Sequence, residues 1–345
     1  MNKLLLELPK IITIHDVALA AQVSIATVSL ALRNDSRCAA KTVTRVQEIA
    51  AQLNYVPNQV ARSLQSSTTE TITLVVPDIG NPVYVAMAKV IQREARARGF
   101  RLGLVNSDHQ RSEELYAING LAMRHADALI ICSLNPDAVL IEALSRANAP
   151  VCFIGRLPAN IEIDNVRVDS EIGVVLGMNQ LVEAGHQRIG FVNGIAKTVP
   201  AKARLEGFKR ALKQHHLPYS ASLVVHHDFS FEGGYAGTRQ LLERHSNLDA
   251  IFCANDVMAI GALHRLREVG LRVPQDLAII GMDNIAEGRV CTPTLTSVSL
   301  EAEERGAIAA QLLFERLQAE TRLETRRVTV QPRLVVRQSS LRVVA

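Results

Sequence analysis

No run of eighteen apolar residues occurs in this chain of 345 residues, although 48% of them are hydrophobic. No segment therefore reads as a membrane span, while the apolar share suffices for a large core. Met1 to Lys10 holds three consecutive leucines, but it is too short for a signal peptide's apolar region and has no small-residue cleavage site. It reads as an N-terminal extension, 1–10, of a cytoplasmic protein. Catalytic signatures are missing as well: there is no G-x-G-x-x-G, no Walker A sequence, no H-E-x-x-H and no G-x-S-x-G. Gly233-Gly234-x-x-Gly237 has the wrong spacing for a dinucleotide loop and opens a helix, and the pair Glu303-Glu304 falls on an exposed-looking helix. The expectation is a protein that is not an enzyme and holds no cofactor.

Cysteine pairing is absent too. Cys38, Cys132, Cys152, Cys253 and Cys291 form no C-x-x-C pair, and no histidine lies at zinc-ligand spacing from them. A dispersed, odd set fits reduced thiols, mostly buried. The doublets His215-His216 and His226-His227 make poor metal sites by themselves, because neighbouring side chains point apart on a helix or strand. No metal is expected, and solvent or capping roles suit these histidines.

What is present begins at residues 13 to 33. Thr13 is placed to cap a helix with Asp16 three residues on, close to a capping box. Ile14, Val17, Ala18 and Ala21 fall on one helical face. Gln22-Val23-Ser24 makes a turn, and Ser24 can cap a second helix whose buried face is Val28, Ala31 and Leu32. Val43, Val46, Ile49 and Leu53 mark a third. Three short helices around so small a core fit a helix-turn-helix domain over 11–56, with the second helix entering the DNA major groove by its N-terminal end. Bundles that bind no DNA share this spacing, so the pattern alone leaves both readings open. Charge adds some support: residues 1–66 carry seven basic against four acidic side chains, most of the chain's net +4.

Tyr55-Val56-Pro57-Asn58-Gln59-Val60-Ala61-Arg62-Ser63-Leu64 makes the pattern specific. Together with Thr13-Ile14-His15-Asp16-Val17-Ala18 and Val23-Ser24-x-x-Thr27-Val28-Ser29, it resembles the LacI/GalR family of bacterial regulators. The resemblance implies that 57–66 is a hinge helix. About eight residues cannot hold a helix alone in water, and the family's hinge orders only when paired across a homodimer on DNA. Leu64 matches the apolar wedge that opens a central base step in the minor groove, with Arg62 beside it. The alternative for Leu64 is a linker leucine packed on the core. The DNA-facing set implied is Thr13, Ser24, Ile25, Ala26, Thr27, Ser29, Leu30, Asn34, Tyr55, Asn58, Ala61, Arg62 and Leu64. Ile25, Ala26 and Leu30 stand where the family reads bases, and all three are apolar. They cannot make bidentate hydrogen bonds to a base but can touch thymine methyls. Thr27 and Ser29 are assigned to backbone contacts. Specificity should therefore lean on T-rich half-sites, Leu64 insertion and DNA deformability.

From Thr71 the pattern alternates strands and helices. Expected strands are 71–76, 101–105, 128–131, 151–154, 188–192, 223–225, 250–253 and 277–280. Several are continuous apolar runs, as parallel strands covered on both faces should be. Two sets of four such units predict two doubly wound α/β subdomains, like periplasmic sugar-binding proteins. The resemblance continues through Asn81-Pro82-x-Tyr84, Gly185-His186-x-x-Ile189-Gly190, Arg204-x-x-Gly207-Phe208, Asn255-Asp256-x-Met258-Ala259-x-Gly261 and Gly281-x-Asp283-Asn284, covering roughly 13–338. It implies a core over 70–345 for effector binding and dimerisation, crossed three times by the chain. Subdomain 1 would take about 70–164 and 293–325, and subdomain 2 about 165–292 and 326–338.

Ligands of such folds bind beyond the carboxyl ends of the strands. Tyr84, Ser133, Arg156, Arg204, Phe229, Asn255 and Asp283 lie there, with an aromatic face, two cations, a carboxylate and an amide that suit a polyhydroxylated ring. Each has a plainer alternative: Asn255 and Asp256 as a helix cap, Tyr84 as packing, Arg204 with Asp283 as a structural ion pair. Thr198 and Pro200 replace the residues that grip a purine in one branch of the family, Val83 replaces an aromatic, and Ser170 stands where Asn is usual. These departures leave the effector's identity open. The expected protein is a sequence-specific repressor, a homodimer on a pseudo-palindromic double-stranded DNA operator, controlled by a sugar-like small molecule. Arg337 to Ala345 is too short for a heptad tetramerisation helix.

Overall fold

The computed structural model describes residues 12–56 and 68–341, in two compact units, 1–69 and 70–345. In the first, α1 (Ile14–Ala21), α2 (Ile25–Leu32) and α3 (Ala40–Gln52) enclose Val17, Ala18, Ala21, Val28, Ala31, Val46 and Ala50. Thr13 starts α1 by donating its N–H and its hydroxyl to Asp16 Oδ2, at 2.8 and 2.7 Å. Gln22 ends the helix in the left-handed region, and the axes of α1 and α2 diverge by 100°, inside the usual helix-turn-helix range of roughly 90–120°. Ser24 caps α2, accepting the Thr27 N–H at 3.1 Å. The hinge segment 57–66 lies outside the described residues.

The second unit holds two six-stranded sheets. The first takes β1 (Thr71–Val76), β2 (Arg101–Asn106), β3 (Ala128–Cys132), β4 (Val151–Ile154), β5 (Asp164–Val168) and β11 (Arg327–Val330), in the order β11-β5-β4-β3-β1-β2. All its pairings are parallel. The second takes β6 (Ile189–Asn193), β7 (Val224–His226), β8 (Ala250–Cys253), β9 (Ala278–Met282), β10 (Thr296–Ser299) and β12 (Arg333–Val335), in the order β12-β10-β9-β8-β6-β7, parallel except for β10 with β12. The strands β3, β4, β6, β8 and β9 are buried throughout, which is why they read as unbroken apolar runs. The helices between them are α4 (Pro82–Ala97), α5 (Arg111–Ala122), α6 (Ala138–Ser145), α7 (Ser170–Glu183), α8 (Val199–Gln214), α9 (Phe231–Arg244), α10 (Asp256–Glu268) and α11 (Ala302–Gln318).

The path between the sheets corrects the sequence expectation in two places. Residues from Pro293 were expected on the first subdomain, yet Thr296–Ser299 pairs with β9 in the second sheet, so the crossing follows Ser299. Val328 was expected on the second, yet Arg327–Val330 pairs with β5 in the first; the third crossing lies between Val330 and Arg333. β5 belongs wholly to the first sheet, so the first crossing follows Val168, close to the boundary expected at about 164. Each sheet gains its fifth and sixth strands from segments too polar to read as core.

Those polar residues have defined partners. Asp164, 1% exposed, accepts Arg316 Nε and Nη2 at 2.7 Å each, Arg326 Nη2 at 2.9 Å and the Arg326 backbone N–H at 2.8 Å. Burial alone would raise its carboxyl, but these bonds outweigh burial and hold it below the usual carboxylate range. One carboxylate thus ties β5, α11 and the start of β11. The Gly233-Gly234-x-x-Gly237 run has a packing cause. A Cβ on Gly234 would come within 2.0 Å of Met258 O, and one on Gly261 within 2.1 Å of Phe231 O, so glycine is what lets α9 and α10 touch.

Candidate functional site

At the start of α2 two hydroxyls are already engaged. Ser24 Oγ meets Thr27 Oγ1 at 2.9 Å as well as capping the helix, and Ser29 gives its carbonyl to Arg33 Nε at 3.1 Å. Ile25 and Ala26 at the N-terminal end are exposed, Ile25 by 40%, while Ser29 and Leu30 are half-buried. Asn34 sits in the left-handed region past the helix end and accepts Gln47 Nε2 at 2.8 Å. Tyr55 packs in part against the three-helix core. The sequence-predicted positions Asn58, Ala61, Arg62 and Leu64 lie outside the described residues.

In the second unit one cleft between the two sheets gathers all seven expected effector positions: Tyr84, Ser133, Arg156, Arg204, Phe229, Asn255 and Asp283. It encloses about 360 Å³, within the usual range for small-molecule sites. The strand orders explain the convergence. Each sheet reverses direction of winding, between β1 and β3 and between β6 and β8, and the loops beyond these strands open toward each other. Asn81 caps α4 by accepting the Val83 N–H at 3.1 Å, Pro82 fixes the first turn, and Tyr84 is thereby set on that turn. One backbone bond spans the cleft, from Val199 N–H to Leu134 O at 3.0 Å.

On the opposite wall the far end of the Phe229 ring abuts Gly194, where a Cβ would stand 2.0 Å from Cζ. Arg204 lies over the ring, its guanidinium carbon 5.5 Å from the ring centre. Asn255 is the N-cap of α10, accepting the Met258 N–H at 2.8 Å, and its Nδ2 donates to Phe229 O at 3.1 Å. It is wholly buried and braces the Phe229 loop. The next residue, Asp256, holds the neighbouring loop: it accepts the Ser297 hydroxyl at 2.7 Å and the Ile285 N–H at 2.9 Å. Burial raises its carboxyl well above the usual range. That loop carries Asp283, whose backbone is forced to φ +108°. Burial pushes the Asp283 carboxyl up to about 6, with Arg204 and Arg305 opposing.

The structural ion pair that Arg204 and Asp283 might have formed is not made among the described residues. Arg204, 7% exposed, leaves its Nε buried without a partner, and so does Arg305, 9% exposed. Arg305 also lines the cleft and was missed in the sequence. Its signal was there: it shares the buried face of α11 with Ala309 and Leu313, a charge on an apolar stripe. Among the described residues no group of three or more His, Cys, Asp or Glu could hold a metal ion, and no single helix is long and apolar enough to cross a membrane.

The family pattern described as bacterial regulatory proteins, lacI family, matches residues 13–58, and a periplasmic binding protein-like domain matches residues 178–340. Catabolite control protein A of Priestia megaterium is 33% identical over 330 residues, covering 95% of this chain and 99% of its own. This chain belongs to the LacI family of bacterial regulatory proteins. The ribose operon repressor of Halalkalibacterium halodurans is also 33% identical, over 95% of this chain and 97% of its own. Among solved structures, the lac repressor dimer bound to operator and the anti-inducer ONPF superposes with a TM-score of 0.82 at 27% identity, covering 96% and 100% of the two chains. A complex of the transcriptional regulator CelR with cellobiose gives 0.72 at 31% identity, covering 95% and 99%. As a LacI-family member the protein is a DNA-binding transcriptional regulator and not an enzyme.

Proposed function

We propose that this LacI-family protein is a cytoplasmic repressor that binds a pseudo-palindromic operator as a homodimer and is controlled by a sugar-like effector in the cleft. The observation that carries the effector reading is the convergence of Tyr84, Arg204, Phe229 and Asp283 on one cavity beyond the strand ends of both sheets. An aromatic face with hydrogen-bonding groups at its edge suits a ring with hydroxyls. The CelR–cellobiose complex, which covers 95% of this chain, supports it. The exposed N-terminal end of α2 supports the DNA reading, with Ile25 and Ala26 touching thymine methyls and Thr13, Ser24 and Thr27 near the backbone. Residues 57–66 act as the hinge, with Leu64 as the wedge. Effector binding changes the closure of the two subdomains, and the hinges part or pair accordingly. The coupling required is on the order of 1–3 kcal/mol.

Selection of random duplexes by the full chain, with and without a pool of small metabolites, tests this. The expected result is an enriched palindrome around a flexible central step, with enrichment changed by the pool. No enrichment in either arm contradicts it. Leu64→Ala should weaken operator binding and leave effector affinity nearly unchanged; an equal loss of both removes the hinge from the account.

A further inference from the structure

We propose that the effector is a sugar derivative bearing a carboxylate, held between Arg204 and Arg305 at the deep end of the cleft. The inference rests on the cleft being the effector site. Both side chains are more than nine-tenths buried, both line the same cavity, and both leave Nε without a hydrogen-bond partner. A guanidinium keeps its charge under all ordinary conditions. An unpaired buried cation is costly, so two of them facing one cavity describe a site completed from outside.

The acids around the cavity do not complete it. Asp283 makes no ion pair with either arginine among the described residues. Asp78 accepts the Gly80 N–H at 2.8 Å, and Asp228 accepts the Ser230 hydroxyl at 2.9 Å. Asp108 is exposed at the mouth. None of these carboxylates meets Arg204 or Arg305 within ion-pair distance among the described residues.

The remaining groups fit a planar acceptor. Arg204 is stacked on Phe229 at 5.5 Å, so its face is taken and its edge is left for the ligand. A carboxylate meets such an edge with two parallel bonds. Burial holds the Tyr84 phenol protonated, as a donor. Arg305 reaches the site because Gly306 lets α11 close on α4: a Cβ there would stand 2.9 Å from Met87 Cγ and 3.1 Å from its carbonyl oxygen. Ser133, 8% exposed, adds a hydroxyl beside the cavity.

The test uses the full chain and matched sugars in three forms: glucose, glucuronate and glucose 6-phosphate, then galactose, galacturonate and galactose 6-phosphate, and gluconate. Binding is read by calorimetry and by the rise in Tm. The expected result is that a carboxylate member binds most tightly, and that Arg305→Met weakens it by about thirtyfold or more. Arg305→Lys should keep part of the affinity. In the absence of sugar, Arg305→Met should raise Tm, because an unpaired buried charge is removed. A neutral or phosphorylated member binding tightest overturns the carboxylate while leaving the effector cleft standing. A fall in Tm on Arg305→Met overturns the clamp independently of any ligand. Failure of all seven compounds to bind overturns the carboxylate-sugar proposal; the selection with a metabolite pool then decides separately whether the cleft takes any effector.

Discussion

Two pairs of arginines in the second unit are treated oppositely by the fold. Behind the first sheet, Arg316 and Arg326 both bond to Asp164 at 2.7–2.9 Å. In the cleft, Arg204 and Arg305 are more deeply buried than Arg316 and Arg326, but have no carboxylate within ion-pair distance among the described residues. The first pair joins β5, the end of α11 and the start of β11. The second is held by stacking on Phe229 and by the close approach of α11 to α4. A buried cation that is part of the scaffold is neutralised by the scaffold, and one left open marks a place for something else. The helix α2 differs from both: Ser24 and Thr27 at its start bond to each other, and the residues it exposes are Ile25 and Ala26.

The largest effect should come from breaking the paired set. Asp164→Ala leaves two guanidinium groups without their shared carboxylate and should cost about 3–5 kcal/mol of stability, read by denaturant unfolding of the core. A loss below 1 kcal/mol would show that the two networks do not differ as described. The same carboxyl sets an acid limit. Its folded pKa is depressed, so its contribution is complete above the unfolded value of about 3.9 and is lost as pH falls through the lower folded value.

Asp283 should behave in the opposite sense. Its folded value of about 6 lies above the unfolded one, so its folded form binds the proton more tightly. Stability of the sugar-free chain should therefore decline as pH rises from about 4 to about 6, by about 1–3 kcal/mol from this residue. The difference in stability between wild type and Asp283→Asn, followed across that window, isolates the effect. A flat difference would place Asp283 in contact with a fixed cation after all.

Two smaller changes sharpen the contrast with the reader. Ser24→Ala removes the cap of α2 and should cost about 1 kcal/mol in the three-helix unit, measured by thermal unfolding; no change would free the hydroxyl for DNA alone. Ile25→Ala should leave that unit's stability nearly intact, since the side chain is 40% exposed. It should instead flatten the base preference at one position of each half-site by less than about 1 kcal/mol, read from selection profiles of the two proteins. Unchanged preference at every position would remove Ile25 from base reading.

Much of this architecture could be read in the sequence because its physical signals are local. Apolar runs such as Ala128–Cys132 and Ala278–Met282 mark strands covered on both faces. Thr13 with Asp16, and Ser24 with Thr27, mark helix starts. The strands that escaped are Asp164–Val168 and Thr296–Ser299, whose buried polar residues depend on partners far along the chain. Asp164 meets Arg316 and Arg326; Ser297 meets Asp256, and Thr296 meets Ser339 and Ser340. No local pattern announces such a pairing, and the crossings were misplaced for that reason. In the cleft, the positions following strand ends were legible from topology. Arg305 carried only the signal of a charge on the apolar stripe of α11, masked by the exposed Glu303 and Glu304 beside it.

The central claim is that the cleft and the DNA-reading unit are coupled through one effector. It is tested most directly by a closed thermodynamic cycle on the full chain, using the selected operator and the small molecule that alters its selection. Operator affinity is measured with and without that molecule, and the molecule's affinity with and without operator. The account predicts a change of about 5- to 150-fold, the same factor in both directions. Operator affinity that does not move when the cleft is saturated would contradict it.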